Sequence, residues 1–96
     1  MPYIPEERRH ALDPFIADLD GKIHENLYPQ SWAGEINYVM STLFKRVWER
    51  HGKSYWMFAL MVGVLVTCAL ELYRRVIVRY ETDKIIMHGD VYDDPL

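Results

Sequence analysis

Basic and aromatic side chains that could bind an anionic ligand are concentrated near the end of the chain. Tyr73, Arg74, Tyr80 and Lys84 fall within about three helical turns of one another. An arginine presents a planar fork that matches a carboxylate or phosphate, and a tyrosine can stack on a base or hydrogen-bond a phosphate. This spacing predicts a pocket for a phosphorylated or nucleotide-like ligand, although a solvated helix face with i, i+4 ion pairs has the same pattern.

Two consecutive arginines in this cluster cannot hold the same ligand atom, because adjacent residues on a helix point about 100° apart. Glu71 precedes Arg75 by four residues, which is the favoured order for a helical ion pair, and it also reaches Arg74 three residues on. We therefore expect Glu71 and Arg75 to form a structural ion pair. Arg74 is then left to contact the small anionic ligand, together with the two tyrosines and the lysine.

Four residues earlier in the chain are predicted to extend the pocket. Arg8 and Arg9 would join it if the N-terminal arm folds back, and otherwise they are ordinary surface charge. Asn37 and Tyr38 lie just inside a predicted helix, where free backbone N–H groups favour anions. Their alternative roles are to complete the helix cap and to pack at the edge of the helix.

The sequence contains no complete catalytic or metal-binding motif. Its four histidines are widely spaced, with no His-Glu-x-x-His and no His/Cys ligand pair. Helical nucleotide pyrophosphohydrolases hold magnesium with paired acidic motifs, but here Arg74 and Lys84 stand where second acidic residues would be required. No Gly-rich phosphate loop or nucleophile motif occurs. We expect a non-enzymatic protein without a metal or a cofactor.

The elements that must position these residues are predicted to be helical. The 96 residues allow one domain, 1–96, and apolar residues recur at the three- and four-residue spacing of amphipathic helices. A first helix is expected to start at Asp13-Pro14, after an N-terminal arm of residues 1–12. A second carries a continuous apolar stripe and ends at Gly52. A short last helix ends at Gly89, before an acidic tail of residues 90–96.

A third helix, over about residues 54–78, is apolar on all sides and is expected to be the central core helix. A kink is predicted near Val78–Tyr80, where β-branched residues lower helix propensity. The fold class is then all-α, a small bundle of three main helices plus a short C-terminal helix.

The uncharged run of this helix is at the lower limit for a membrane span, roughly 17 residues. Lys53 precedes the run and two arginines follow it, so the asymmetry of positive charge that orients a span is missing. We expect a cytoplasmic protein rather than a membrane protein, and keep the small membrane protein as an alternative.

Composition limits the partners. A net charge of −3 argues against bulk nucleic-acid binding. The single cysteine, Cys68, makes no intrachain disulfide, which suits a reducing cytoplasm. Half of the residues are apolar, a high load for so small a surface, so a homo-oligomer is expected, most simply a two-fold dimer.

Several short segments, in this order, resemble an uncharacterised small-protein family common in phages and prophages: Met1-Pro2-Tyr3-Ile4, Arg8-Arg9, Gly34-Glu35-Ile36-Asn37-Tyr38, Glu71-Leu72-Tyr73-Arg74-Arg75, Tyr80-Glu81, Lys84 and Gly89-Asp90-Val91-Tyr92. Two departures are Arg79, where the family has proline, and His88, where it has asparagine. The resemblance implies a phage origin. By analogy with other small phage proteins, it favours a binder that sequesters a nucleotide signal of bacterial immunity; an adaptor or inhibitor of a host protein is the alternative.

Overall fold

A computed structural model of the chain describes residues 3–92, and all of the regular secondary structure in that range is helical. The predicted all-α fold, with an apolar helix followed by a short C-terminal helix, is confirmed. The elements in chain order are α1 (Glu6–His24), a 3-10 turn (Pro29–Ser31), α2 (Trp32–His51), α3 (Tyr55–Leu72), a π-helical turn (Tyr73–Ile77) and α4 (Val78–His88).

Helix α1 begins at Glu6 and not at Asp13, so the predicted start is wrong. Pro5 precedes the helix, and its carbonyl accepts hydrogen bonds from the N–H groups of Arg8 and Arg9 at 3.0 and 3.1 Å. Residues 6–12 are mostly strong helix formers, and the two glutamates of the first turn favour the positive end of the helix dipole. Pro14 is accommodated inside the helix, where it removes one backbone hydrogen bond. The predicted arm is therefore helical from residue 6, and its residues 1 and 2 lie outside the described range.

Helix α2 is tied to the turn before it and ends where the sequence predicts. The indole N–H of Trp32 donates to the carbonyl of Asn26 at 3.1 Å, and the Trp32 ring lies 4.9 Å from that of His24. At the other end Gly52 has a φ of 84°, and its N–H donates to the carbonyl of Trp48 at 2.7 Å. A positive φ is a conformation that glycine adopts without steric cost, so the helix stops there.

The apolar helix α3 is largely exposed in the single chain. Of residues 3–92 only Met57 and Met61 are buried, at 4% and 5% exposure, and Phe58 meets Trp48 edge to face at 5.8 Å. By length and composition, one helical segment of the described chain, Tyr55–His88, could cross a membrane. The core helices of soluble proteins pass the same test, so this is weak evidence of a span.

No break separates α3 from α4, although a kink was expected near Val78–Tyr80. Instead the helix widens over Tyr73–Ile77, and the N–H of Val78 donates to the carbonyl of Tyr73, five residues back. Such wide turns are rare and frequently occur at functional sites. Gly89, with a φ of 88°, then ends α4 as predicted.

The sequence predicted one domain, whereas the described residues fall into two compact units that divide between Met61 and Val62. The N-terminal unit contains α1, α2 and the beginning of α3. The C-terminal unit contains the rest of α3, the π-helical turn, α4 and the residues after it. Of the predicted acidic tail, residues 93–96 lie outside the described range.

Candidate ligand-binding groove

The C-terminal unit contains a groove of about 560 Å³ that runs along α4 and under the turn that follows it. Three of the predicted ligand residues, Tyr73, Tyr80 and Lys84, line this groove. They are brought together because positions three, four and seven residues apart share one side of a helix. The remaining lining residues are Glu81, Ile85, His88, Gly89, Asp90, Val91 and Tyr92.

Lys84 provides the positive charge in the groove. Its ammonium nitrogen lies 5.4 Å from the centre of the Tyr80 ring, a cation–π distance. Among the described residues no carboxylate oxygen lies within ion-pair distance of this ammonium group. Lys84 therefore packs against an aromatic face and forms no ion pair with a carboxylate of residues 3–92.

The turn after α4 closes one end of the groove. Gly89, with a positive φ, ends α4, and the N–H of Tyr92 then donates to Oδ1 of Asp90 at 3.0 Å. This hydrogen bond over two residues is an Asx turn, which mimics a backbone turn. It places a third tyrosine and a carboxylate on the groove.

Four polar lining residues were not among the predicted site residues: Glu81, His88, Asp90 and Tyr92. The sequence interpretation treated the residues after Gly89 as a tail. The signal that could have found them is the Gly-Asp-x-Tyr spacing directly after a helix end, since it is typical of an Asx turn that folds the chain back.

The groove carries mixed charge. Two carboxylates, from Glu81 and Asp90, accompany the single ammonium group of Lys84. A polyanion would be repelled by these two acids. A molecule with a flat ring, hydroxyl or amino groups and one anionic group matches the lining better, because carboxylates accept hydrogen bonds from such donors.

Glu71 forms an ion pair with Arg74, whereas the predicted partner was Arg75. The Nη2 atom of Arg74 lies 3.0 Å from Oε1 and 3.4 Å from Oε2 of Glu71. The glutamate side chain is only 13% exposed, and that of the arginine 64%. The i, i+4 rule assumes a regular α-helical rotation per residue, and the π-helical turn that starts at Tyr73 breaks this regularity. Arg74 does not line the groove.

The other predicted ligand residues belong to the N-terminal unit. Arg9 donates from Nε to the carbonyl of Ile4 at 2.8 Å, and Arg8 is exposed. Tyr38 lines a second groove of about 480 Å³ between α1 and α2, whereas Asn37 does not line it. The groove of the C-terminal unit is built without these four residues.

This second groove contains a carboxylate oxygen that needs a partner. Oε2 of Glu35 is buried and has no hydrogen-bond partner among the described residues. Lys22, which also lines the groove, is already paired with Glu25 at 3.2 Å. Its apolar lining comes from Leu19, Ile23 and Val39.

Within residues 3–92, no three His, Cys, Asp or Glu side chains are grouped so that they could hold a metal ion. Taken together, the helices and the tyrosine-lined groove make this a small all-α protein with a surface site large enough for a small ligand.

The sequence matches over residues 1–91 a family model described as Domain of unknown function (DUF6899), and the chain belongs to that family. No curated protein and no solved structure is similar enough to the chain to be matched. The phage association drawn from the short segments stays a prediction.

Proposed function

We propose that the protein binds a small nucleotide-like ligand with one anionic group in the groove of the C-terminal unit. The observation that carries this proposal is that Tyr73, Tyr80 and Lys84, chosen for their chemistry, line one groove of about 560 Å³. A cleft of this size lies within the range of small-molecule sites, about 300–1,000 Å³.

Each group of lining residues has a role that suits such a ligand. The exposed tyrosine rings can stack on a base, which is a contact that tolerates any base because each has a π-face. Lys84 can donate to a phosphate or carboxylate oxygen as a charge-assisted hydrogen bond. Glu81 and Asp90 can accept from the hydroxyls of a sugar or the amino group of a base.

Binding without turnover is the favoured activity. The groove contains acid–base groups in Glu81, Asp90 and His88, but the sequence carries no complete catalytic motif that would combine them with a nucleophile. In the phage setting that the resemblance implies, retention of a nucleotide in the host cytoplasm would withdraw a signal from bacterial immunity. The alternative, an adaptor or inhibitor of a host protein, would use the same exposed tyrosines as contact residues.

The first experiment identifies the ligand. The full-length protein is purified, denatured by heat, and the released small molecules are analysed by mass spectrometry. A released nucleotide supports the proposal, and a stoichiometric host protein in the purified sample supports the adaptor alternative. Calorimetric titration with the four ribonucleoside monophosphates then measures affinity directly.

The Lys84→Ala variant tests the site. Loss of a charge-assisted contact costs about 1.5–3 kcal/mol, so binding of the released nucleotide or the best monophosphate should weaken about ten- to a hundredfold. Lys22→Ala is the matched control, because Lys22 lines the other groove and is already paired with Glu25. Equal affinity of Lys84→Ala and the parent protein would overturn the proposed site.

A further inference from the structure

The apolar helix α3 is exposed on most of its surface in the single chain, and its two buried residues, Met57 and Met61, lie near its beginning. In the C-terminal unit Val64, Leu65 and Val66 are consecutive and therefore point about 100° apart. Their exposures are 44%, 41% and 50%, and that of Leu70 is 60%. Burial of apolar surface is the main favourable term in folding and association, so this helix needs a cover.

The exposed area of the chain is large for its mass. The chain exposes 8724 Å², whereas a folded monomer of its mass, 11.4 kDa, is expected to expose about 5,800 Å². The difference is about 2,900 Å². Obligate homodimers bury about 1,000–2,500 Å² on each partner, so the excess area is sufficient for such an interface.

We propose that α3 is a self-association surface, and that a second copy of this chain covers it. An isologous pair would bury the α3 surfaces of both copies at once, because the same patch serves both partners. This inference does not depend on the ligand groove, which lies along α4 and the turn that follows it.

Two observations favour a second copy over a lipid bilayer. The uncharged run from Ser54 to Leu70 is about 25 Å long as a helix, which is shorter than the hydrocarbon core of about 30 Å. Exposed apolar side chains also occur on α1 and α2, where Phe15 and Ile16 are 68% and 58% exposed and Leu43 is 56% exposed. These helices carry charged residues on their remaining surface, so a bilayer around α3 would not cover them, whereas further copies of the chain can.

The test is the mass of the full-length protein in detergent-free buffer, measured by sedimentation equilibrium over a range of concentrations. The expected result is a mass of two or more chains. Recovery of the protein only with detergent from the membrane fraction, a single-chain mass, or a complex of one copy with a different protein would each overturn the proposal.

The Val66→Glu variant locates the interface. Val66 is half exposed in the single chain, so a glutamate is tolerated there, but in an interface it would be a buried charge. The dissociation constant should rise by about tenfold or more. Leu27→Glu introduces the same charge at an 85% exposed leucine that lies outside α3 and lines neither groove, and it should leave the mass unchanged. An unchanged dissociation constant for Val66→Glu would overturn the proposal.

Cys68 provides a readout that needs no substitution. It is exposed in the single chain, so a thiol reagent should reach it freely unless α3 is covered. In the detergent-free parent protein, labelling should be slow at high protein concentration and faster on dilution. Labelling as fast as in denaturant at every concentration would contradict the proposal, even if Val66→Glu proves insoluble.

Discussion

The two grooves of the molecule have similar volumes but different linings. The groove along α4 combines three tyrosines, Lys84, His88 and two carboxylates around the turn at Gly89. The groove between α1 and α2 combines Leu19, Ile23 and Val39 with one tyrosine, and its cation Lys22 is already paired with a glutamate. Among the described residues, the first groove combines stacking faces with an ammonium group that forms no ion pair with a described carboxylate.

The similar volumes of the two grooves therefore do not by themselves identify which one binds a ligand. In the groove between α1 and α2 the polar feature that stands out is a carboxylate oxygen of Glu35 without a partner. Such an oxygen accepts hydrogen bonds and repels anions. The groove along α4 also contains two carboxylates, but there Lys84 supplies an ammonium group that can bind an anion.

The largest expected effect is the difference in nucleotide affinity between substitution of Tyr80, in the groove along α4, and of Tyr38, in the groove between α1 and α2. Tyr80 and Tyr38 are similarly exposed, at 61% and 71%. Tyr80→Ala should weaken nucleotide binding by about five- to a hundredfold, because base stacking on an aromatic ring contributes about 1–3 kcal/mol. Tyr80→Phe keeps the ring and should keep most of the affinity.

Tyr38→Ala is the control for this change, and calorimetry on the three variants decides between the grooves. A loss of affinity with Tyr38→Ala and none with Tyr80→Ala would move the site to the groove between α1 and α2.

The next largest effect is expected on stability, at Gly89 in the groove along α4 and at Gly34 in the groove between α1 and α2. Gly89 has a φ of 88° and a ψ of 159°, a region that is open essentially to glycine alone. Gly89→Ala should therefore destabilise the protein by about 1–3 kcal/mol and disturb the Asx turn. Gly34 lies inside α2, where an added Cβ meets nothing within 4 Å. Gly34→Ala should stabilise by about 1 kcal/mol, since alanine is the better helix former.

Thermal melts followed by circular dichroism measure both glycine variants. Each 1 kcal/mol corresponds to a shift of about 4–8 °C for a domain of this size. Shifts of the same sign in the two variants would show that the glycine of the tyrosine-lined groove has no special backbone role.

The smallest expected effect concerns the helix that supports the groove. Arg74→Ala removes the partner that lies 3.0 Å from Glu71 and should destabilise by about 0.5–1 kcal/mol, since the arginine is 64% exposed. Arg75→Ala should stay within about 0.5 kcal/mol of the parent. Neither should alter nucleotide affinity strongly, because neither arginine lines the groove. A larger loss of stability for Arg75→Ala than for Arg74→Ala would instead support the ion pair between Glu71 and Arg75 that the i, i+4 spacing predicts.

Local sequence patterns were sufficient to predict the helices and the C-terminal ends of two of them, α2 and α4. The apolar stripe of α2 predicts that helix, and Gly52 and Gly89 mark helix ends because they adopt a positive φ at no steric cost. The start of α1 was missed. Asp13-Pro14 is a strong local start signal, but the helix-forming residues before it continue the helix through the proline.

The candidate site was predictable in part. The residue types of Tyr73, Tyr80 and Lys84 and their spacing on one helix indicated a shared side, and the structure places all three on one groove. Arg8, Arg9, Asn37 and Tyr38, which the sequence analysis grouped with them, belong to the other compact unit. Spacing along a helix predicts which residues share a face, but it carries no information on which distant segments meet.

The sequence by itself determined an all-helical chain, an uncharged apolar helix and a polar segment rich in tyrosine and arginine after it, because these depend on periodicity and composition. The tertiary structure decided which arginine pairs with Glu71, because a single wide turn changes the angular positions that the regular helix rule assumes. It also decided that Asp90 and Tyr92 line the groove, because α4 ends at Gly89 with a positive φ and an Asx hydrogen bond of 3.0 Å follows.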